Sequence, residues 1–232
     1  MSMKELRKIA DSAANIIKKK IPIALESANK DKEIELITLD REVMEIKIEG
    51  MSPLMLHRFS EKAFKQMAEK NAGKAVKGKQ ARDPEQEYQD AMYRTDDGKP
   101  GFPLIAFKNA AVTAVTSLNR AMSKVLARQA FFIIGETLTE IYYPKDCPPI
   151  MDESAVRISG GKSATLRYRP KFRKWGVKLV IEYNKTAMSA EQVVNLINLG
   201  GYSVGVGEHR VEKNGNNGRF RIVDKFSWEK KK

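Results

Sequence analysis

Hydrophobic and polar residues alternate in several short segments of the chain. Met44, Ile46 and Ile48 alternate with charged residues, and Gly50 and Pro53 end the run. Period-two alternation bounded by Gly and Pro is typical of a strand with one buried face. Similar patterns predict further strands at residues 131–134, 137–142, 164–169, 175–183 and 218–223.

Helical spacing of apolar residues occurs in three other segments. The first, residues 6–17, is surrounded by lysines and predicts an amphipathic helix, which would pack on its own domain, dock on a neighbouring protomer or bind phosphate. The second pattern covers residues 107–126 and predicts one long helix. The third covers residues 193–199 and follows a capping box formed by Ser189 and Gln192.

The order of these elements predicts an α+β fold, an RRM- or ferredoxin-like antiparallel sheet with packed helices. Gly200 and Gly201 are predicted to end the last helix before the returning strand. We divide the chain into an N-terminal amphipathic helix and connector, 1–40, and a single α+β domain, 41–232. Residues 61–99 within that domain are predicted to form a mobile basic insertion.

The composition adds a strong positive charge to this picture. The 232 residues carry a net charge of +13, which favours nucleic acid or an anionic membrane as partner, or serves solubility alone. No apolar run is long enough to cross a membrane, and residues 1–20 lack the features of a signal peptide. The single cysteine, Cys147, excludes an internal disulfide and fits a cytoplasmic location.

Cations occupy every second position between residues 167 and 173. If this stretch is extended, they share one face, where they could follow a phosphate backbone. The interleaved rings and the tryptophan that follows could stack on bases, or they could belong to the core while the cations protect an edge strand. The cations are Arg167, Arg169, Lys171 and Arg173, and the aromatic residues are Tyr168, Phe172 and Trp175.

The Gly-rich segment, residues 200–210, combines glycines with His209 and Arg210. Its glycines permit close backbone approach, and Arg210 supplies a planar charge suited to phosphate. It lacks the third glycine of a dinucleotide fingerprint, and Gly161 lacks the earlier glycine of a P-loop. An arginine-bearing nucleic-acid loop and a plain structural turn both fit this pattern.

Candidate catalytic residues are few. His57 and His209 are the only histidines, and without clustered carboxylates they make a metal site improbable. A metal-independent RNA-cleaving centre could combine His57 with Tyr93 or Lys108, although the spacing does not require it. No serine or cysteine nucleophile motif occurs, so we expect no enzymatic activity and no cofactor.

Three segments together resemble the RAMP superfamily, which includes the RNA-coating backbone subunits of CRISPR effector complexes. They are the strand and loop at 45–53, the helix start at 101–110 with its P-x-x-x-x-K-x-A pattern, and the terminal Gly-rich signature. The chain also looks like proteins encoded by tailed phages. By position, Lys108 matches the family's helix lysine. The residues that match the family's loop are Gly205, Gly207, Arg210, Gly218 and Arg219.

The resemblance implies an RRM-like core, a basic insertion acting as a thumb, and backbone contacts to single-stranded RNA or DNA along an oligomer. The expected partners are therefore a single strand of RNA or DNA, further copies of the chain, and a phage or host protein complex such as an RNA-guided defence. The catalytic histidine of processing members has no secure counterpart here. We expect a binding protein, with endoribonuclease activity and a protein-interaction role as alternatives.

Overall fold

The computed structural model describes residues 39–74, 82–117, 122–157 and 164–229. The predicted N-terminal helix lies outside these residues. The described α-helices are α1 (Glu61–Asn71), α2 (Pro84–Asp90), α3 (Ile105–Ala114), α4 (Lys124–Ala130) and α5 (Ala190–Ser203). The strands are β1 (Arg41–Gly50), β2 (Leu54–Met55), β3 (Gly101–Pro103), β4 (Phe131–Ile134), β5 (Leu138–Glu140), β6 (Ile150–Arg157), β7 (Ala164–Phe172), β8 (Gly176–Asn184) and β9 (Phe220–Val223).

A four-stranded antiparallel sheet forms the centre of the protein. Its strand order is β4-β8-β1-β9, with β1 paired to both β8 and β9. Along the chain, β1, α3, β4, β8, α5 and β9 follow one another with insertions between them, which is the strand and helix sequence of a ferredoxin-like fold. The predicted α+β class with an antiparallel sheet and packed helices is confirmed.

One face of this sheet carries the hydrophobic core. Ile48 of β1 and Ile181 of β8 are fully buried there, because alternate residues of a strand point to the same face. Helices α3 and α5 cover this face, and Phe107 of α3 meets Phe220 of β9 edge to face at 5.4 Å. The opposite, outer face carries charged side chains and exposed apolar ones, including Phe132.

Two helix predictions were wrong. The predicted long helix over 107–126 is interrupted, since α3 ends at Ala114 and α4 begins only at Lys124. Ser123 caps the start of α4, because its hydroxyl accepts a hydrogen bond from the Leu126 amide. Gly200 and Gly201 do not end a helix, because α5 continues to Ser203. A Cβ on Gly200 would lie 2.7 Å from the Ala111 nitrogen, so the glycine allows α3 and α5 to pack closely.

A second sheet with strand order β2-β7-β6 stands beside the first. Strands β6 and β7 pair from Ile150 opposite Lys171 to Arg157 opposite Ala164, and they present one face to the Gly-rich segment. Within residues 61–99, helix α2 begins after the capping residue Asp83 and packs against β7. The described part of this insertion therefore contains ordered helical turns attached to the hairpin.

Candidate nucleic-acid interface

The Gly-rich segment is fastened to the chain around β2. The Glu208 amide donates to the Met55 carbonyl at 3.0 Å, and the Gly218 amide donates to the Pro53 carbonyl at 2.7 Å. Gly207 has φ +78°, and a Cβ there would lie 2.6 Å from the Met55 carbonyl oxygen. The Gly205 amide donates to the Gly200 carbonyl at 2.9 Å. The amides of Gly205 and Gly218 are thus committed to the fold and are not free to bind phosphate.

A cleft of about 490 Å³ opens between the Gly-rich segment and helix α3. His57, Tyr93 and Asn109 line it together with Glu208 and Arg210. Sequence reasoning considered His57 with Tyr93 and singled out Arg210, and the fold brings all three to one cleft. It missed Glu208, whose position between Gly207 and His209 in the Gly-rich segment was the available signal.

The electrostatics of the cleft centre on His57. Its Nδ1 lies 3.8 Å from a Glu208 carboxylate oxygen. Burial lowers the pKa of His57, and this outweighs the opposing attraction of Glu208. Burial raises the pKa of Tyr93. At neutral pH the cleft therefore holds an uncharged imidazole, able to accept a proton, and a protonated phenol.

Arg169 is a buried connection between β7 and the Gly-rich segment. Only 2% of the residue is exposed, and its guanidinium lies 3.6 Å from the Glu208 carboxylate and 3.2 Å from His209 Nε2. It also donates to the Ser154 hydroxyl at 2.5 Å, while its Nε has no hydrogen-bond partner. Buried and enclosed in this way, Arg169 holds the fold together and is not available to a phosphate backbone.

The other predicted cations divide into paired and unpaired groups. Lys171 pairs with Asp152 at 3.1 Å, and Arg210 pairs with Glu212 at 2.7 Å. Arg167 and Arg173 make no ion pair among the described residues, and Arg173 is exposed just beyond the end of β7. The predicted line of four equivalent cations is therefore reduced to its two outer members.

Two of the proposed stacking residues belong to the core. Phe172 and Trp175 have no exposed surface, and the Trp175 indole donates to the Ser52 carbonyl at 2.8 Å. This corrects their assignment to the binding surface, since alternation along β7 turns Phe172 inward and the indole is enclosed. Tyr168 lies on the same face of β7 as Phe172 but nearer the start of the strand, and it stays partly exposed, with the Arg82 guanidinium 5.8 Å from its ring centre.

Lys108 lies outside the cleft, over aromatic rings of β4. Its ammonium lies 3.9 Å from the ring centre of Phe132 and 5.7 Å from that of Phe131, both on β4. Burial lowers the pKa of Lys108. The residue does not line the cleft, so the structure does not join it to His57 and Tyr93.

We call a group of residues at one end of the sheet the basic end. It comprises the exposed Arg173 and Lys174, the partly exposed Arg219 and the exposed ring of Tyr202. The segments that carry them are linked, because Trp175 binds Ser52 and the Ser52 hydroxyl accepts from the Arg219 amide at 2.9 Å. The Arg219 guanidinium lies 4.7 Å from the ring centre of Tyr202, which is 62% exposed. An arginine on an exposed ring is suited to both phosphate and base.

Sequence reasoning also missed an aromatic group on the outer face of the central sheet. Tyr142, Phe226 and Trp228 form consecutive ring contacts there. The available signal was the pair of aromatic residues on either side of Ser227, close to a run of lysines.

Among the described residues, no group of three or more His, Cys, Asp or Glu side chains could hold a metal ion. Within the same ranges, no helix is long and apolar enough to span a bilayer.

Comparison with known proteins gives little further guidance. No family model and no curated protein matches the chain. Among solved structures, the chain is similar to Cmr6 from Pyrococcus furiosus, at 9% sequence identity and a TM-score of 0.42. The match covers 80% of this chain and 100% of that one. A likeness at this level carries no argument about function.

Proposed function

We propose that the protein binds single-stranded RNA or DNA through the phosphate backbone, without sequence preference. The observation that carries this proposal is the basic end, where the Arg219 guanidinium lies 4.7 Å from the ring centre of the exposed Tyr202. The segment that carries the exposed Arg173 and Lys174 is linked to Arg219 through Ser52. The net charge of +13 supports it, since an excess of cations attracts a polyanion and accelerates its capture.

The chemistry of these groups favours a single strand. A guanidinium binds phosphate oxygens with two parallel N–H groups, while a ring can stack on an unpaired base of any identity. Bases inside a duplex are already stacked and cannot use the ring in this way. The exposed Tyr202 ring is therefore the feature expected to separate single strands from duplexes.

Fluorescence anisotropy of labelled single-stranded RNA, single-stranded DNA and duplex DNA across a salt series tests the proposal. We expect Arg173→Ala and Arg219→Ala to weaken single-strand binding and to lower the salt slope by about one each. Lys171→Ala is the matched control, because its ammonium already pairs with Asp152 at 3.1 Å. It should retain the wild-type slope.

Two outcomes would contradict the proposal. Equal weak binding of all three nucleic acids, unchanged by the arginine substitutions, would reduce the surface to generic basicity. Absence of binding even at low salt would favour the alternative of a protein-interaction module whose basic surface docks on an acidic partner, such as a component of an RNA-guided defence complex.

The RAMP-like segments of the sequence extend this proposal to assembly. We propose that several copies associate along one strand in the host cytoplasm, as the resemblance to RNA-coating subunits implies, and that the chain is phage-encoded. Sedimentation with oligonucleotides of increasing length tests the assembly, because the number of bound copies should rise in steps with length. A single copy on every length would contradict it.

A second candidate function is metal-independent RNA cleavage in the cleft. The specific observation in its favour is that uncharged His57 and protonated Tyr93 line one cleft with Arg210. A base, an acid and a cation are the groups that attack by a 2′-hydroxyl requires. Cleavage of labelled RNA in EDTA, abolished by His57→Ala and by 2′-deoxy substitution, would support it, and intact RNA would contradict it.

A further inference from the structure

The C-terminal segment, residues 224–229, crosses the outer face of the central sheet. The Ser227 amide donates to the buried carboxylate of Glu49 on β1 at 2.9 Å. Phe226, only 3% exposed, lies over Gly176, where a Cβ would come within 2.8 Å of its ring. The glycine on β8 and the carboxylate on β1 together hold this segment against the sheet.

The held segment completes a stack of three rings, which we call the outer ring stack. Tyr142 and Phe226 have ring centres 5.7 Å apart at 30°, and Phe226 and Trp228 have ring centres 5.0 Å apart at 12°. Trp228 is partly exposed at the end of the stack, and Phe226 is its only ring neighbour in the described part of the chain.

Two lysines lie directly opposite each other beside these rings. Lys47 of β1 and Lys178 of β8 are register partners, and like charges in that position destabilise a sheet. Their ammonium groups lie over rings of the stack, Lys47 at 5.8 Å from Phe226 and Lys178 at 4.9 Å from Tyr142. The Glu229 carboxylate lies 3.6 Å from the Lys47 ammonium, whereas Lys178 makes no ion pair among the described residues.

We propose that the outer ring stack is a second contact for single-stranded nucleic acid, on which Trp228 stacks a base while Lys47 and Lys178 hold the adjoining phosphate. A phosphate would neutralise the opposed lysines, and a base would extend a stack that already has nearly parallel rings. The proposal rests on the proposed function and adds residues that do not belong to the basic end.

The two tryptophans of the chain allow a direct test. Trp175 is fully buried in the core and serves as an unchanging background, so quenching of intrinsic fluorescence by an unlabelled oligothymidylate should report Trp228. We expect strong quenching with the wild type and none with Trp228→Phe. Trp228→Phe should still bind nearly as tightly as the wild type, because a ring remains.

Affinity measurements separate stacking from charge. Trp228→Ala should bind oligothymidylate about 5- to 150-fold more weakly, since base stacking on an aromatic residue contributes that much per base. An oligonucleotide with the same number of phosphates but abasic sites should bind the wild type and Trp228→Ala equally. Equal binding of the abasic strand by the two proteins would also show that Trp228→Ala keeps its fold, because a misfolded variant would bind both strands more weakly.

The outcomes distinguish the two proposals. Tight, salt-dependent binding without quenching, and with Trp228→Ala equal to the wild type, would overturn the outer ring stack alone. Equal affinity of the wild type for thymidylate and abasic strands would overturn the outer ring stack together with base stacking on Tyr202, while phosphate binding at the basic end would stand. Absence of binding to every oligonucleotide would overturn the proposed function and this site with it.

Discussion

Replacing Gly200 by alanine tests how closely α3 and α5 pack. In an exposed helix position this change would stabilise the protein by about 1 kcal/mol, because alanine is the better helix former. At Gly200 the added methyl group would lie 2.7 Å from the Ala111 nitrogen and 2.8 Å from the Ala110 carbonyl carbon. Both are backbone atoms, so no flexible side chain can move aside.

The two effects oppose each other, and their sizes decide the sign. Overpacking in a core costs about 1–3 kcal/mol, and contacts this short with backbone place Gly200→Ala at the upper end. After subtraction of the helix-propensity gain, we expect a net loss of about 1–2 kcal/mol in the free energy of unfolding. For a domain of this size the midpoint of thermal unfolding should fall by roughly 2–8 °C.

Urea unfolding followed by circular dichroism measures this loss. Asn195→Ala is the matched control, since Asn195 lies on the exposed side of the same helix and should gain a few tenths of a kcal/mol. If Gly200→Ala were as stable as the wild type, the close contact between α3 and α5 would be refuted as the reason for glycine at this position.

Two further predictions concern the cleft. Because burial lowers the pKa of His57, the fold should keep its full stability above the ordinary histidine pKa of about 6.5 and lose part of it as the pH falls towards the lowered value. His57→Gln should therefore reduce the dependence of the urea midpoint on pH. An unchanged dependence would contradict this prediction. Glu208→Gln should lower the free energy of unfolding by about 1–2 kcal/mol, less than for a fully buried pair because the Glu208 side chain is 42% exposed. Arg169→Met should lower it by a smaller amount, because it leaves no buried charge. Urea unfolding of both variants tests which of them is the less stable.

Hydrophobic patterning predicted most of the central sheet. The alternation at residues 44–48 and 175–183 identified β1 and β8, and the capping box at Ser189 identified the start of α5. These signals are local, since a strand's alternation and a helix's cap depend on neighbouring residues. The sequence therefore predicted the fold class well.

The site was harder to predict because burial depends on distant residues. Arg169 has the same sequence pattern as Arg167, yet it is enclosed by Glu208 and His209, which lie 39 and 40 residues away in the chain. Lys108 likewise lies over Phe132 of a strand that no local signal joins to it. Local alternation places cations on one face and does not show which of them a loop will cover.

The position of β1 in the chain affects how the protein folds during its synthesis. It ends at Gly50, but its two neighbours in the sheet, β8 and β9, begin only at Gly176 and Phe220. During synthesis, β1 therefore has no partner strand in the central sheet until most of the chain has been translated. Such long-range pairing slows folding and exposes strand edges to aggregation. We expect chaperone dependence and slow refolding, with β1 as the segment most in need of protection.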